Sequence, residues 1–162
     1  MVTTQKPLAA LTAEDVMSRE VKTICQDMPL REAARLLARE QISGAPVVDA
    51  RGCCVGVLSA TDFVHWADKG TEAVRSTARP CYCSDWQVVD LEFLPGDEVR
   101  SYMSSDPVTV SPALPVTDLA RMMLDAHIHR LVVVDRHQHP VGIVSSTDIL
   151  AAVAYSAAEG TD

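Results

Sequence analysis

Residues 42–63 read ISGAPVVDARGCCVGVLSATDF, and a similar stretch, IHRLVVVDRHQHPVGIVSSTDIL, occupies residues 128–150. Each stretch contains two short apolar runs rich in β-branched residues, separated by a polar segment. Each also carries a Ser-x-x-Asp sequence directly after its second apolar run. Two β-branched runs on either side of a polar turn are typical of a β-hairpin. The two stretches therefore predict two hairpins, each followed by a helix that begins near the aspartate.

The similarity extends outward into an internal repeat without gaps. Residues 16–64 align with residues 102–150 at an offset of 86 residues, and 15 of the 49 aligned positions are identical. Upstream of each hairpin lie a Met-Ser pair, a short extended piece and a proline, Pro29 or Pro115, which we predict at the first helical position. Self-similarity at a fixed offset indicates a duplicated structural unit.

Each copy predicts a β-α-β-β-α unit. Apolar residues recur at helical spacing after each proline, as one buried helix face requires; they are Leu30, Ala33, Ala34, Leu37 and Ala38 in the first copy and Val116, Leu119, Ala120 and Met123 in the second. A unit of about 50 residues buries too little apolar surface to be stable alone, so we expect the copies to pair about a pseudo-twofold axis. The predicted fold class is α/β (α+β), with small sheets packed against helices. The predicted organisation is a first repeat at 12–68, an insertion at 69–96 and a second repeat at 97–157.

The composition excludes several classes of protein. The chain of 162 residues is 48% hydrophobic and carries a net charge of -8 without a basic run, which disfavours nucleic acid as a partner. No apolar run approaches the roughly 20 residues that span a membrane, and the first residues lack the layout of a signal peptide. We therefore predict a cytoplasmic protein with reduced cysteines.

Catalytic motifs are absent, and metal motifs are weak. The sequence has no Gly-x-Ser-x-Gly elbow, phosphate loop or zincin signature, so we do not expect an enzyme. The spacing in His127-x-His129, His137-x-His139, Cys53-Cys54 and Cys81-x-Cys83 differs from that of common zinc sites, which makes solvated side chains the preferred interpretation. A metal-regulated protein remains an open alternative.

Taken in order, the repeated motifs resemble a tandem pair of cystathionine-β-synthase (CBS) domains, often called a Bateman module. They are the opening Val16-Met17-Ser18, in which Tyr102 replaces the valine of the second copy, the apolar strand ending in Asp, and the Gly-aliphatic-aliphatic-Ser-x-x-Asp turn. The resemblance implies a non-catalytic regulatory module that requires no cofactor and senses AMP, ADP, ATP or S-adenosylmethionine in a cleft between the repeats. It also implies a homodimer that acts through self-association or through an effector protein in trans. The alternative is a structural dimerisation module without a ligand.

The resemblance also assigns roles to the two Ser-x-x-Asp turns. It places the ribose hydroxyls on Asp62 and Asp148, with Ser59 and Ser145 beside the ribose or a phosphate. A carboxylate can accept hydrogen bonds from both hydroxyls of a diol, and a helix N-terminus offers free N–H groups to an anion. The alternative is that these residues only cap the helix.

The two implied clefts differ in charge. The first has the small, uncharged sequence SGAP, whereas the second has HRLV, so we expect a phosphate to lie toward Arg130. Arg130 as a surface ion-pair partner, and Ile42 and Ile128 as core residues, are the alternatives. The predicted ligand-binding residues are Thr23, Ile42, Gly44, Ala45, Pro46, Ser59, Thr61 and Asp62 in the first cleft and Thr109, Ile128, His129, Arg130, Leu131, Ser145, Thr147 and Asp148 in the second.

The insertion at residues 69–96 departs from the repeat. It contains Tyr82, Trp86 and Phe93 together with Cys81 and Cys83, and connections of this length usually carry structure or function. We expect a strap packed over the core surface. A dimer contact or a lid over a cleft is the alternative.

Overall fold

A computed structural model of the chain describes residues 6–69 and 94–157. These residues form two compact units. The Asp62 unit runs from Lys22 to Pro107, and the Asp148 unit combines the described residues up to Val21 with those from Val108 onward. In chain order the elements are α1 (Ala13–Val16), β1 (Ile24–Cys25), α2 (Leu30–Glu40), β2 (Gly44–Val48), β3 (Cys54–Ser59), α3 (Ala60–Lys69), β4 (Ser104–Ser105), β5 (Thr109–Val110), α4 (Val116–Ala126), β6 (Arg130–Val134), β7 (Pro140–Ser145) and α5 (Ser146–Ala157).

Both units contain the predicted β-α-β-β-α order, which confirms the mixed α/β fold class. In the Asp62 unit the sheet order is β1-β2-β3-β4, and in the Asp148 unit it is β5-β6-β7. The first pair in each sheet is parallel, and the hairpin pair is antiparallel. The predicted apolar runs are 45–48 with 55–58 and 131–134 with 141–144. The hairpin strands begin and end within one residue of these runs, because the β-branched residues and the polar turns define them locally.

The helices before the hairpins bury the predicted face, but fewer of its residues are buried than predicted. In α2, Leu30, Ala33 and Leu37 are buried, whereas Ala38 is exposed. Their counterparts in α4 are Val116, Leu119 and Met123, all buried. Pro29 and Pro115 are the N-cap residues, one position earlier than predicted, with extended backbone. Each helix therefore begins immediately after the residue that cannot donate a backbone hydrogen bond.

Two helices end in a left-handed residue that is not glycine. Gln41 has φ 55° after α2, and His127 has φ 53° after α4. We expect Gln41→Gly and His127→Gly each to raise the free energy of unfolding by about 0.5 to 1 kcal/mol, because glycine adopts this conformation without Cβ strain. Urea denaturation measures the effect. Gln41→Ala removes the same side chain but keeps the Cβ, so a gain from alanine equal to that from glycine would contradict the strain argument.

The aspartate that follows each first hairpin strand has a structural role. Asp49 Oδ1 accepts hydrogen bonds from the backbone N–H groups of Arg51 and Cys53 at 2.8 and 2.9 Å. Asp135 Oδ1 accepts the equivalent pair from His137 and His139 at 2.8 and 3.0 Å. This repeated identity therefore organises the hairpin turn.

The Asp135 turn predicts a dependence of stability on pH. The N–H of His139, with that of His137, holds the pKa of the Asp135 carboxyl below its usual value. A depressed folded-state pKa adds stability above the unfolded pKa, and this stability is lost as the pH falls through the folded pKa. We expect the difference in melting temperature between the wild type and Asp135→Asn to become smaller as the pH falls from about 7 to about 3. Asp125→Asn, at an exposed position of α4, is the control. If the difference in melting temperature between the wild type and Asp135→Asn did not depend on pH, the prediction would be contradicted.

The Met-Ser segment of each sequence repeat packs on the sheet of the other repeat's hairpin. Ser18 exchanges two backbone hydrogen bonds with Ile143 of β7, at 2.9 and 3.0 Å. In the Asp62 unit, β4 pairs with β3 so that Ser104 lies opposite Val57. The units therefore do not have the same boundaries as the sequence repeats.

Glycine makes this packing possible. A Cβ on Gly142 would overlap the side chain of Met17, with Cγ at 2.8 Å and Sδ closer still. A Cβ on Gly56 would lie 2.6 Å from Met103 Sδ and 2.8 Å from the backbone oxygen of Ser104. The identity of Gly56 and Gly142 in the repeat thus has a steric reason, which is close approach of the Met-Ser segment.

Candidate functional site at the Ser-x-x-Asp turns

Both aspartates of the Ser-x-x-Asp turns cap a helix. Asp62 Oδ2 accepts hydrogen bonds from the N–H and the Oγ of Ser59 at 2.7 and 2.9 Å. Asp148 Oδ2 accepts the same pair from Ser145 at 2.7 and 2.6 Å, and the N–H of Asp148 donates back to Ser145 Oγ at 3.3 Å. At Asp148 this reciprocal pattern is that of a capping box, and Asp62 makes the two corresponding bonds to Ser59. It engages one carboxylate oxygen of each aspartate.

The second carboxylate oxygen distinguishes the two turns. Asp62 Oδ1 accepts a hydrogen bond from Ser104 Oγ at 3.0 Å. The repeat equivalent of Ser104 is Ser18, which makes its two hydrogen bonds to Ile143 through the backbone. Asp148 Oδ1 accepts no hydrogen bond from any residue within 6–69 or 94–157. Only the second turn therefore keeps an available carboxylate oxygen among the described residues.

Asp148 also lines a large cavity formed within its own unit. The cavity has a volume of about 690 Å³ and lies between α5 and the segment that precedes and includes α1. The lining residues are Lys6, Pro7, Leu8, Leu11, Asp15, Val16, Asp148, Ala151, Ala152, Tyr155 and Ser156. Such a volume is in the range of small-molecule sites.

An ion pair holds the outer wall of this cavity. Lys6 Nζ lies 2.9 and 3.1 Å from the two carboxylate oxygens of Asp15, and Asp15 Oδ2 also accepts the N–H of Thr12 at 2.9 Å. Lys6, followed by Thr12, lowers the pKa of the Asp15 carboxyl. The ion pair thereby joins the two ends of the segment from Lys6 to Asp15, which lines the cavity opposite α5.

The sequence predictions missed this wall. Of the lining residues only Asp148 was predicted, because Lys6 and Leu8 lie outside the repeat and their packing on α5 is a tertiary contact. One signal was present in the sequence: Asp148, Ala151, Ala152 and Tyr155 have the spacing of one helix face.

The other predicted site residues divide by burial and by position. Gly44 lies opposite Ser59 across the first hairpin, and Arg130 lies opposite Ser145 across the second. The structure therefore brings each of them next to the serine of its own turn. The buried members are Ala45, Pro46 and Leu131; the exposed members are Thr23, Thr61, His129, Arg130 and Thr147; the half-buried members are Ile42, Gly44, Ser59, Asp62, Thr109, Ile128, Ser145 and Asp148.

Two predicted residues line a different cavity. Ile128 and His129 contribute, with Ser146, to a cavity of about 400 Å³ bounded by α4 and α5. Leu124 and Leu150, which are 74% and 67% exposed, also line it. Thr109, Ile128, Arg130 and Leu131, around which the resemblance implies an adenine ring, thus do not line the cavity at Asp148.

The described residues bring no set of three His, Cys, Asp or Glu side chains together as a metal site would require. The rings of His137 and His139 are 6.0 Å apart between centroids. Burial raises the pKa of the Cys54 thiol. Cys81, Cys83 and residues 70–93 of the insertion lie outside the described residues, while Leu94 at its end is buried in the core of the Asp62 unit.

One known family matches both copies of the repeat. Residues 13–69 and again residues 99–155 match the CBS domain. This chain belongs to the CBS domain family. The two matches cover both hairpins and both Ser-x-x-Asp turns of the CBS pair. Separately, no helix within 6–69 or 94–157 is long and apolar enough to cross a membrane.

Known relatives agree with this membership, and solved structures share the fold. An uncharacterized protein of Methanocaldococcus jannaschii, MJ1426, is 26% identical over 86% of this chain and 89% of its own length. The 5′-AMP-activated protein kinase subunit gamma-3 of Sus scrofa is 25% identical, and the match spans 24% of that protein. CBSX2 in complex with AMP aligns with a TM-score of 0.68 at 23% identity, covering 89% of this chain and 96% of CBSX2. The CBS domain pair of MJ0100, in complex with 5′-methylthioadenosine and S-adenosyl-L-methionine, aligns with a TM-score of 0.70 at 22% identity, covering 90% and 98%.

Proposed function

We propose that this CBS pair is a non-catalytic regulatory module that binds an adenosine-containing ligand, with the ribose on Asp148. Two observations on Asp148 carry the proposal: its Oδ1 accepts no hydrogen bond from the described residues, and the residue lines a cavity of about 690 Å³. The capping box fixes the carboxylate through Oδ2, so Oδ1 is held ready to accept a hydroxyl without further ordering of the side chain.

Ribose suits this carboxylate chemically. A vicinal diol offers two O–H donors, and a hydrogen bond from a hydroxyl to an ionised carboxylate is among the stronger hydrogen bonds in proteins. Arg130, opposite Ser145, supplies a cation that a 5′ phosphate could approach.

The candidate ligands are AMP, ADP, ATP and S-adenosylmethionine. Solved CBS pairs of the same fold carry AMP in one case and S-adenosyl-L-methionine with 5′-methylthioadenosine in another, which supports the adenosine class for this chain. Ligand binding would alter the association of this chain either with a second copy in a homodimer or with an effector protein in the cytoplasm. The remaining predicted residues of the second cleft belong to this proposal, and a ligand in the first cleft stays a separate prediction.

Isothermal titration of the purified protein with each of the four ligands tests the proposal. We expect saturable binding of at least one ligand. No heat from any of the four at concentrations up to the millimolar range would contradict it. The mass of any ligand that copurifies gives an independent readout.

A structural dimerisation module without a ligand is the second candidate. The observation that favours it is the exposure of large apolar side chains on α4 and α5, namely Leu124, Leu150 and Val153. Apolar side chains grouped at a surface are typical of an interface. Two results together would favour this function over the first. Sedimentation would show a dimer that Leu150→Glu dissociates, and titration with the four ligands would release no heat.

A further inference from the structure

The segment that includes α1 packs on its unit in the same way as the segment that follows the insertion packs on the other unit. Thr12 forms a backbone bridge with Pro115 in the Asp148 unit, and Glu98 forms one with Pro29 in the Asp62 unit. Thr12 and Glu98 are separated by the repeat offset of 86 residues, as are Pro29 and Pro115. The two segments are therefore equivalent, and the surroundings of the cavity of about 690 Å³ can be compared residue by residue between the units.

The comparison shows that Trp66 is the equivalent of Ala152. In the Asp62 unit, Trp66 of α3 and Tyr102 both pack against the hydrophobic core. Their equivalents at the offset of 86 residues are Ala152 and Val16, and both of these line the cavity in the Asp148 unit. The Asp148 unit thus has a small side chain at two positions where the Asp62 unit has a large aromatic one. This difference in size accounts for open space beside α5.

The leucine of each segment reflects the same difference. Leu94 is 2% exposed, whereas its equivalent Leu8 lines the cavity and is only half-buried. Protein interiors are packed as densely as organic crystals, so apolar side chains beside open space gain contacts when further apolar atoms fill it. We call the apolar part of the cavity the Ala152 pocket; it is lined by Leu8, Leu11, Val16, Ala151 and Ala152.

Trp66 indicates which ligand the Ala152 pocket fits. The indole ring of tryptophan is flat, bicyclic and uncharged, and it buries a large apolar area when it packs. Lys6 and Asp15, at the outer wall, form an ion pair with each other, so their charges cancel and favour no charged ligand. A small aromatic molecule of the same shape could therefore fill the space that corresponds to Trp66.

We propose that the Ala152 pocket binds a small, uncharged, bicyclic aromatic molecule of the indole class. This site is separate from the adenosine site of the proposed function, because Asp148 lies one helical turn before Ala152 and the aromatic ring contacts alanine and aliphatic side chains instead. The pocket gives the module a second class of ligand.

Isothermal titration with indole tests the pocket. We expect saturable binding with a dissociation constant of about 0.1 to 1 mM, the level expected for so small a ligand that binds through apolar contacts. Ala152→Trp fills the pocket with a ring of the chain's own and should weaken indole binding by more than about tenfold. Ala154→Trp, at an exposed position of α5 outside the cavity, should bind indole within about twofold of the wild type.

Thermal melts of the same two variants test the comparison with Trp66. Ala152→Trp should raise the melting temperature by about 2 to 4 °C, because the added ring leaves water on packing in the pocket. Ala154→Trp makes the same change in helix propensity without this burial, so it should lower the melting temperature slightly. A lower melting temperature for Ala152→Trp than for Ala154→Trp would overturn the proposal, since the pocket would then not accept an indole ring.

Asp148→Ala distinguishes this site from the adenosine site. It should leave indole binding within about twofold of the wild type, and loss of indole binding in this variant would contradict a separate pocket. No binding of indole to the wild type at millimolar concentration, or equal binding to Ala152→Trp, would overturn the pocket and leave the proposed function standing. Indole binding without binding of any adenosine ligand would support the pocket and contradict the proposed function.

Discussion

Asp148→Ala is expected to weaken binding of the adenosine ligand by roughly tenfold to one-hundredfold, while Asp62→Ala leaves the affinity close to that of the wild type. The size of the effect follows from the loss of a hydrogen bond to an ionised group, about 1.5 to 3 kcal/mol. The difference between the two variants follows from Oδ1, which is available in Asp148 and accepts Ser104 Oγ in Asp62.

Asp62→Ala is a close control because both variants lose the same cap. Each substitution removes the two hydrogen bonds that the aspartate accepts from its serine at the helix start, at a cost of about 1 kcal/mol, and Asp62→Ala also removes the hydrogen bond from Ser104. We therefore expect Asp62→Ala to be at least as destabilising while it retains affinity. Titration for affinity and urea denaturation for stability separate the two effects. Equal loss of affinity in both variants would refute the assignment of the ribose to Asp148.

Gly142→Ala is expected to lower the free energy of unfolding by about 2 kcal/mol, within the range of 1 to 3 kcal/mol found for overpacked sites. The added Cβ would overlap the Met17 side chain at its Cγ and Sδ atoms. Gly96→Ala is the control, since no atom lies within 4 Å of a Cβ at that position. Its expected change is close to zero, as at other unconstrained surface positions.

A second substitution distinguishes side-chain overlap from backbone overlap. Met17→Ala removes the overlapping atoms, so it should recover most of the loss caused by Gly142→Ala. Met103→Ala should recover the loss caused by Gly56→Ala only in part, because the backbone oxygen of Ser104 remains 2.8 Å from the added Cβ. Urea denaturation of the two double-mutant cycles measures both couplings. Equal recovery in the two cycles would contradict this steric account.

The sequence was sufficient to predict the hairpins and the helices. The β-branched runs of β6 and the apolar spacing of α4 are local patterns, and the structure follows them to within a residue or two. The sequence also predicted both possible roles of Asp148, as a cap and as a ligand contact, but could not assign them to separate carboxylate oxygens.

Other features of the candidate site depend on tertiary contacts, which an alignment of the two repeats cannot predict. Ser18 and Ser104 are identical and equivalent in the repeat, yet only Ser104 donates its hydroxyl to an aspartate. Leu8 and Lys6 lie before the repeat, so their place beside α5 could be found only from the tertiary structure.

The exchange of the Met-Ser segments has a consequence for the origin of the fold. Each compact unit takes Met17 or Met103 from one half of the chain and the glycine beneath it from the other half. A single ancestral repeat could complete this packing only with a second copy of itself, through a domain-swapped dimer. The chain therefore cannot be cut at a single point between the repeats to give two self-sufficient halves.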